Sequence, residues 1–357
     1  MKQLRFLRNL KDELFTPYNS LRVLGMICRK VFIGPLKVTI DITNKCDMNC
    51  IMCWYHSPHL LSQDNSACHM HIGRFKDLIK ELKKIKTKIV LLTGEGEPLL
   101  HPHIEEMIEF IRKNSLEAEI MTNGYYLDRE KIEFFKKVGI KKILVSLHAC
   151  DEHTFRMIHP LKTENDFKKT MDNLLSLKSL RKPSDKLQFF IINVISSLNC
   201  NKVFDMAKLA QDLKADKVIF KPLTLKTPLP ESLGLSLQDK KELILNLKRA
   251  LKITTIPNNI KDYAIFIKYS PAIKNSGILA QGPESINYPF FCYIPWVQSV
   301  IRLNEVLGCV YANDCNLGNI YKNSFIDIWF GKKYKLFRKG LFCHKKCLGR
   351  TAYPLLS

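Results

Sequence analysis

Three cysteines near the amino-terminal end of the chain stand at a spacing that suits metal chemistry. In the stretch DITNKCDMNCIMCW, Cys46, Cys50 and Cys53 form a C-x3-C-x2-C pattern, so one loop can wrap three thiolates around a single cubane cluster. A 4Fe–4S cluster usually takes four cysteines. Because a fourth is absent nearby, one iron would stay open and could chelate a small molecule through an amino and a carboxylate group. A zinc site normally needs a fourth Cys or His, and His56 keeps that alternative open.

A second group of cysteines lies toward the other end of the chain. Cys343 and Cys347 are four residues apart, about one helical turn, so both thiolates can face one cluster. The chain has 12 cysteines, and in a cytosolic protein close spacings indicate metal or redox chemistry rather than disulfides. The scattered cysteines are interpreted as small buried hydrophobes: Cys28, Cys68, Cys150 and Cys200.

The elements that must position these cysteines follow from hydrophobic periodicity. Apolar runs predict strands at 36–42, 88–92, 117–122, 141–147, 187–195 and 216–223. Helices are predicted at 164–179 and 201–213 and on apolar faces that include Phe75 and Leu78, Ile104 and Met107, and Ile132 and Phe135. Strands that alternate with helices predict an α/β fold with a parallel sheet. Six such units predict a partial (β/α)6 TIM-like barrel, with its active site at the carboxyl ends of the strands.

The alternation of predicted strands and helices, and the places where it stops, divide the chain into four segments. They are a basic leader (1–36), the barrel core (37–225), a connector with one helix at 238–252 (226–285), and a small cysteine-rich α+β module (286–357). In the leader, Leu4, Leu7, Leu10 and Leu14 recur at helical spacing between basic residues. That pattern allows peripheral contact with a membrane surface, but docking on the core is favoured.

Composition limits the class of protein. With 46% hydrophobic and 25% charged residues in 357, the chain can bury a sizeable core. No apolar run reaches the ~20 residues of a membrane-spanning helix, and no signal peptide is recognisable, so a cytoplasmic protein is expected. The net charge of +22 attracts nucleic acid, anionic lipid or phosphorylated substrates. The lysines lie mostly on polar helix faces, however, and a dedicated nucleic-acid role is not favoured.

The cysteine loop after the first strand of a βα series resembles the radical S-adenosylmethionine (SAM) superfamily. That resemblance implies a partial barrel, a 4Fe–4S cluster with SAM on its unique iron, and cleavage of SAM to a 5′-deoxyadenosyl radical. It also implies a reductant such as flavodoxin or ferredoxin. The sequence LLTGEGEPLLHP resembles the family's Gly-Gly-Glu-Pro element, here Gly94, Glu95, Gly96, Glu97 and Pro98. Glycines allow close backbone approach, and carbonyls with a carboxylate can accept hydrogen bonds from the methionyl ammonium.

Five further residues are singled out by the same resemblance. Asn123 ends the third strand, and Ser146 ends the fourth, where the family's serine meets the SAM ribose or carboxylate. His148 stands where relatives often carry Asp, so it is the candidate catalytic residue, either a general base or a satisfied polar group. The Arg that contacts SAM in many relatives falls here on His159, with Arg156 three residues earlier.

The tail resembles the SPASM/twitch extension of radical SAM enzymes. Cys292 is followed by Pro295-Trp296, a strand pair reaches Cys309, and Leu-Gly-Asn-Ile follows at 317–320. The resemblance implies one auxiliary 4Fe–4S cluster held by Cys292, Cys309, Cys343 and Cys347. Cys315 is the alternative to Cys309, and a structural zinc is the alternative to the cluster.

The function expected is that of a radical SAM enzyme of oxidoreductase type, which abstracts hydrogen from an unidentified substrate. Oxidation, epimerisation or crosslinking of a peptide, a sugar or an anionic small molecule all fit that expectation. One alternative is a radical SAM methyltransferase that acts on RNA. Another is a non-enzymatic iron–sulfur or zinc protein, although such a protein has no need of the Gly94–Pro98 loop.

Overall fold

A computed structural model of the chain describes residues 17–60, 68–182, 184–223, 229–269, 293–309 and 315–339. The strands are β1 (Lys37–Asp41), β2 (Ile89–Thr93), β3 (Glu117–Thr122), β4 (Lys142–Ser146), β5 (Gln188–Ile195), β6 (Lys217–Pro222), β7 (Gln298–Arg302), β8 (Glu305–Leu307) and β9 (Asn316–Asn319).

The helices alternate with the strands along the first part of the chain and then cluster toward its end. They are α1 (Pro17–Cys28), α2 (Ile72–Lys84), α3 (Ile104–Lys113), α4 (Arg129–Val138), α5 (Glu152–Ile158), α6 (Glu164–Leu180), α7 (Val203–Asp212), α8 (Leu237–Ile253), α9 (Ile260–Tyr269), α10 (Ile294–Val297), α11 (Phe325–Phe330) and α12 (Lys332–Arg338). Among the described residues, no helix is long and apolar enough to cross a membrane.

All nine of these strands join one sheet in the order β6-β5-β4-β3-β2-β1-β7-β8-β9. Strands β1 to β6 pair in parallel with their sequence neighbours, which confirms the predicted partial (β/α)6 barrel. The six predicted strands agree with the observed ones to within a residue or so at each end. Because parallel strands end at the same edge, the loops after β1 to β6 share one mouth.

The strands are buried on both faces, so each carries two sets of apolar side chains. On the outer face, Val38 and Ile40 pack with residues such as Phe75 and Leu78 of α2 in the main core. On the inner face, a separate small cluster fills the barrel, formed by Leu91, Leu144, Ile192 and Ile219 with Met121 and Phe190 beside them. Side chains that follow these inner residues along the strands therefore reach the mouth.

The carboxyl-terminal strands continue the barrel sheet. β7 pairs in parallel along the whole of β1, from Lys37 opposite Gln298 to Asp41 opposite Arg302. β8 and β9 then add antiparallel strands. The sequence predicted this strand pair as part of a small α+β module, and it lacked the signal that β7 joins β1, because strand partners far apart in sequence leave no periodic trace.

The segment predicted as a connector with one helix contains a second helix, α9. Asn259, just before α9, accepts a hydrogen bond from Phe220 N (2.9 Å) and donates one to Phe220 O (2.8 Å). Val218 N also donates to Pro257 O at 3.1 Å. This segment therefore covers the otherwise open edge of β6, where an exposed strand edge would invite pairing with another chain.

The described part of the leader docks on the core. Arg22 of α1 is buried, and its guanidinium donates to the carbonyls of Gly34, Pro35 and Lys86. Leu4, Leu7, Leu10 and Leu14, on which the membrane alternative rests, lie outside the described residues.

Candidate active site

The early cysteines lie in the loop that follows β1, at the mouth of the barrel. Cys46, Cys50 and Cys53 are half-buried free thiols. Asn49 takes a left-handed backbone conformation (φ 47°), which Asn tolerates better than most residues and which lets the loop curl. Cys53 N donates to Cys50 O at 2.9 Å, and Ile51 N donates to a carbonyl at the end of α5 at 2.8 Å.

The surroundings of the thiols suit bound metal. Backbone amides of Tyr55 and His56 each donate to Cys53 Sγ at 3.4 Å. Burial raises the pKa of Cys46 to about 12 and raises those of Cys50 and Cys53. A buried thiolate is stable only beside positive charge, which coordinated iron supplies. Three sulfur donors on one loop therefore fit a cluster.

The zinc alternative would need a compact set of ligands around one ion. Within the described ranges, no three His, Cys, Asp or Glu side chains converge closely enough to hold a single metal ion. A four-iron cluster is larger than one ion and takes its ligands at separate corners. The missing single-ion set among the described residues therefore counts against zinc and not against a cluster.

The loop Gly94–Pro98 packs directly on the residues that lead into the cysteine loop. Gly96 N donates to Thr43 O at 3.0 Å, and Glu97 N donates to Lys45 O at 2.8 Å. A Cβ on Gly94 would lie 2.6 Å from Thr43 O, and one on Gly96 would overlap Lys45 O. The glycines are therefore needed for backbone packing between the two loops.

Glu97 ties this loop to the end of β3. Its carboxylate is 2% exposed and accepts from Thr122 Oγ1 (2.7 Å), Asn123 N (2.7 Å) and Leu99 N (3.0 Å). Burial raises the pKa of Glu97 to about 7. A carboxylate offers about four acceptor positions, so one remains for a ligand ammonium.

Glu95, where many relatives carry glycine, belongs to a charged group at the ends of β1, β2 and β7. Arg302 Nε lies 3.8 Å from Asp41 Oδ2 and 3.9 Å from Glu95 Oε1. Thr93 Oγ1 donates to Asp41 Oδ1 at 2.6 Å, and the guanidinium of Arg302 lies 5.9 Å from the ring centre of Tyr55. Sequence reasoning missed Asp41, Tyr55 and Arg302, because it is Arg302 that joins the other two to the predicted loop, and Arg302 arrives only through the β1–β7 pairing.

Two of the predicted polar residues have unused hydrogen-bonding groups near the mouth. Asn123 accepts from Tyr125 N at 2.8 Å through Oδ1, whereas its buried Nδ2 has no partner among the described residues. Ser146 follows Leu144 on the inner face of β4 and is half-buried. Both are free to contact a bound molecule.

His148 follows β4 in a left-handed conformation (φ 62°), which is uncommon for a non-glycine residue and concentrates at functional sites. Asn199 Nδ2 donates to His148 O at 2.9 Å and fixes this backbone. Val194 N donates to His148 Nδ1 at 3.0 Å, so the neutral ring carries its proton on Nε2. Burial lowers the pKa of His148 to about 3. The geometry therefore favours a neutral hydrogen-bond donor over the general base weighed from the sequence.

His159 and Arg156, the two candidates for the SAM-contacting arginine of relatives, lie in different surroundings. His159 is 2% exposed, ends α5 beside the cysteine loop, and donates from Nδ1 to Phe155 O at 2.9 Å. Burial lowers the pKa of His159 to about 4, so its Nε2 is an acceptor. Arg156 is exposed and pairs with Glu152 at 3.4 Å on the outer side of α5. Only His159 is brought to the site.

The carboxyl-terminal cysteines are described in part. Cys309 follows β8 and is buried, and Cys315 precedes β9 and is half-buried against the same core. Both lie close enough to Tyr334 of α12 to act on its phenol electrostatically. Cys292, Cys343 and Cys347 lie outside the described residues.

Comparison with known families gives two matches along the chain. Residues 40–196 match the radical SAM superfamily, and residues 292–349 match SPASM, an iron–sulfur cluster-binding domain. Together the two matches span more than half of the chain.

Individual relatives are similar over parts of their length. Fe-coproporphyrin III synthase of Methanosarcina barkeri is 27% identical over 32% of this chain and 28% of its own length. A probable GTP 3′,8-cyclase of Thermoplasma volcanium is 27% identical over 50% of this chain and 52% of its own. The chain thus spans about half, or less, of these curated relatives. The crystal structure of Streptococcus suis SuiB bound to its precursor peptide SuiA shares the fold, with a TM-score of 0.65 at 15% identity over 98% of this chain and 83% of SuiB.

A partial parallel barrel with a three-cysteine loop after its first strand defines a class of iron–sulfur proteins that bind SAM. The chain carries a radical SAM domain at residues 40–196 and a SPASM domain at residues 292–349. Its cofactors are accordingly a 4Fe–4S cluster and SAM, with auxiliary iron–sulfur binding in the SPASM domain.

Proposed function

We propose that Cys46, Cys50 and Cys53 hold the SAM-cleaving 4Fe–4S cluster and that the enzyme removes a hydrogen atom from its substrate. The single observation that carries this proposal is the contact between two loops: Gly96 and Glu97 are hydrogen-bonded to the residues that lead into the cysteine loop. When bound and reduced, the cluster supplies the electron that splits SAM into methionine and a 5′-deoxyadenosyl radical. A protein that only carries electrons has no use for the second loop.

The residues of the chain bind and orient SAM in this proposal. The remaining acceptor position of Glu97 and the loop carbonyls receive the methionyl ammonium, and Asn123 Nδ2 donates to an oxygen of SAM. Ser146 contacts the ribose or carboxylate, and His159 Nε2, at the position of the arginine of relatives, accepts a hydrogen bond from a hydroxyl or amino group of SAM. Glu95 shares the cation of Arg302 with Asp41, so its charge is partly offset before SAM arrives.

An oxidoreductase-type outcome follows from electron counting. Removing one hydrogen atom leaves the substrate with an unpaired electron, and loss of that electron completes a two-electron oxidation. A second cluster held by Cys292, Cys309, Cys343 and Cys347 would supply the acceptor. Residues 37–225 then form the radical-generating core and residues 286–357 the auxiliary region. The oxygen-sensitive cofactors favour a cytoplasmic location and a protein reductant.

The test is anaerobic reconstitution with iron and sulfide, followed by reduction with SAM present. We expect about eight irons per chain, from two four-iron clusters, and release of 5′-deoxyadenosine. Changing Cys46, Cys50 and Cys53 together to Ala should abolish that release and leave about half of the iron.

The matched control is Cys28→Ala, which removes an exposed cysteine outside both groups and should change neither readout. Release of 5′-deoxyadenosine by the triple variant would overturn the proposal. Iron near four per chain in the wild type would instead count against the auxiliary cluster alone.

A further inference from the structure

One lysine at the mouth of the barrel has no role in the proposed SAM site. Lys221 lies near the carboxyl end of β6, two residues after Ile219 of the inner apolar cluster. Alternate residues of a strand share a face, so Lys221 points to the barrel interior just above that cluster. It is half-buried.

The other charged groups of the interior have partners. Lys37 and Lys142 both bind the buried carboxylate of Glu119, at 2.5 Å and 3.0 Å. Asp41 and Glu95 face Arg302. Lys221, in contrast, forms no hydrogen bond or ion pair with any described residue. Burial and the nearby charge of Lys37 lower the pKa of Lys221 to about 8, which is the effect of a cation that lacks its counterion.

His148 and Lys221 flank the end of β5. Lys221 of β6 pairs in register with Val194 of β5, and Val194 N, which points toward β4, donates to His148 Nδ1 at 3.0 Å. The two residues are therefore two strand spacings (~10 Å) apart at the backbone, a gap that the lysine side chain can largely span, and the charge of Lys221 helps to lower the pKa of His148. The proton of His148 sits on Nε2, which has no hydrogen-bond partner among the described residues.

We propose that the Lys221 ammonium, with the Nε2–H group of His148 beside it, binds an oxyanion of the substrate, either a carboxylate or a phosphate. This inference rests on the proposed function, since it assigns the substrate side of the same mouth. A cation and a neutral donor, without a carboxylate partner, form a set that matches an oxyanion. The strained backbone of His148, fixed by Asn199, keeps the donor in place.

The first experiment measures the reactivity of Lys221 in the reconstituted chain, first without SAM and then with saturating SAM. Trace acetylation with acetic anhydride, read by peptide mass spectrometry, compares Lys221 with the exposed Lys208 of α7 in the same molecule. Phenylphosphonate and benzoate are the probes, and benzamide is the neutral control of the same shape. All are added at matched ionic strength.

We expect one or both anions to slow the acetylation of Lys221 at least fivefold, with benzamide inactive and Lys208 unchanged. The anion that protects identifies the phosphate or the carboxylate class. Equal protection by benzamide, or no protection, overturns the proposal. Full protection by SAM alone also overturns it, because Lys221 would then belong to the SAM site.

The second experiment measures the affinity of the protecting anion by calorimetry. Lys221→Met keeps the length of the side chain and removes the charge, so affinity should fall about tenfold, as expected for a lost hydrogen bond to a charged group. Lys221→Arg should retain most of it, and Lys208→Met is the control. Unchanged affinity in Lys221→Met overturns the proposal. Release of 5′-deoxyadenosine by the wild type is scored separately, so failure of SAM cleavage and failure of anion binding are distinguishable.

Discussion

At the scale of single residues, the site depends on positions where only one residue type is compatible with the backbone. Gly96 is the strongest case, because any Cβ there overlaps the carbonyl of Lys45. The sequence motif predicted a glycine-rich loop that approaches SAM closely. The structure adds that the glycine also lets this loop meet the cysteine loop.

Changing Gly96 to Ala should therefore separate the two loops. The added methyl forces the backbone away from Lys45 and breaks the bond from Glu97 N. We expect at least about a tenfold fall in 5′-deoxyadenosine release, since each 1.4 kcal/mol of lost transition-state stabilisation is a factor of ten. Gly73→Ala in α2 is the control, because its Cβ meets only the side chain of His71 at 3.2 Å. Equal rates in the two variants would contradict this account of the loop.

Single residues also show which parts of the site could be predicted from the sequence and which could not. The cysteines and the Gly94–Pro98 loop could be predicted, because their spacing is local. Arg302 could not, since it reaches Asp41 and Glu95 only through a strand pairing that spans most of the chain. The choice between Arg156 and His159 also needed the structure, because helical spacing would place both on one face, whereas His159 follows the end of α5 with a non-helical backbone and is buried.

At the scale of elements, periodic apolar patterns predicted the regular strands and helices. Single polar side chains attach the peripheral helices to the core. The strands and α2, α3 and α4 followed from apolar spacing and from stops such as Gly139 (φ 74°). Helices α1 and α9 are held instead by Arg22 and Asn259, which bind backbone atoms of other elements. A single polar residue that binds the backbone of a distant element leaves no periodic pattern, so these two attachments could not be predicted from the sequence.

Removing the Arg22 side chain should release α1 from the core. Arg22→Met keeps the apolar stem but leaves the carbonyls of Gly34, Pro35 and Lys86 without their donor. We expect a loss of about 2–4 kcal/mol in the free energy of unfolding, the size of a buried charged hydrogen-bond network. Hydrogen exchange should accelerate over α1 alone at low denaturant. Arg29→Met, at an exposed position, is the control, and similar losses in both variants would show that Arg22 is not the anchor.

At the scale of the whole molecule, the barrel and the carboxyl-terminal strands form one continuous sheet. β7 covers the whole of β1. The carboxyl-terminal region is also tied back to the core: Trp329 Nε1 of α11 donates to Ile33 O at 3.0 Å, and Arg74 Nε of α2 donates to Ile320 O, just after β9, at 2.7 Å. Cys309 is therefore attached to the same sheet whose first strand leads into the early cysteine loop.

This continuity predicts that the barrel and the carboxyl-terminal region unfold together. The chain has 3 tryptophans, and Trp54→Phe leaves only Trp296 and Trp329, so fluorescence then reports the carboxyl-terminal region. Circular dichroism at a helical wavelength reports mainly the barrel. In urea, with the metal-free reduced protein, both signals should give the same midpoint, because opening β7 exposes the edge of β1 and its apolar neighbours. Val300→Pro in β7 should lower both midpoints equally, whereas Lys322→Pro in the exposed turn after β9 should lower them less. A fluorescence transition that precedes the dichroism transition would mean that the two regions are separate cooperative units.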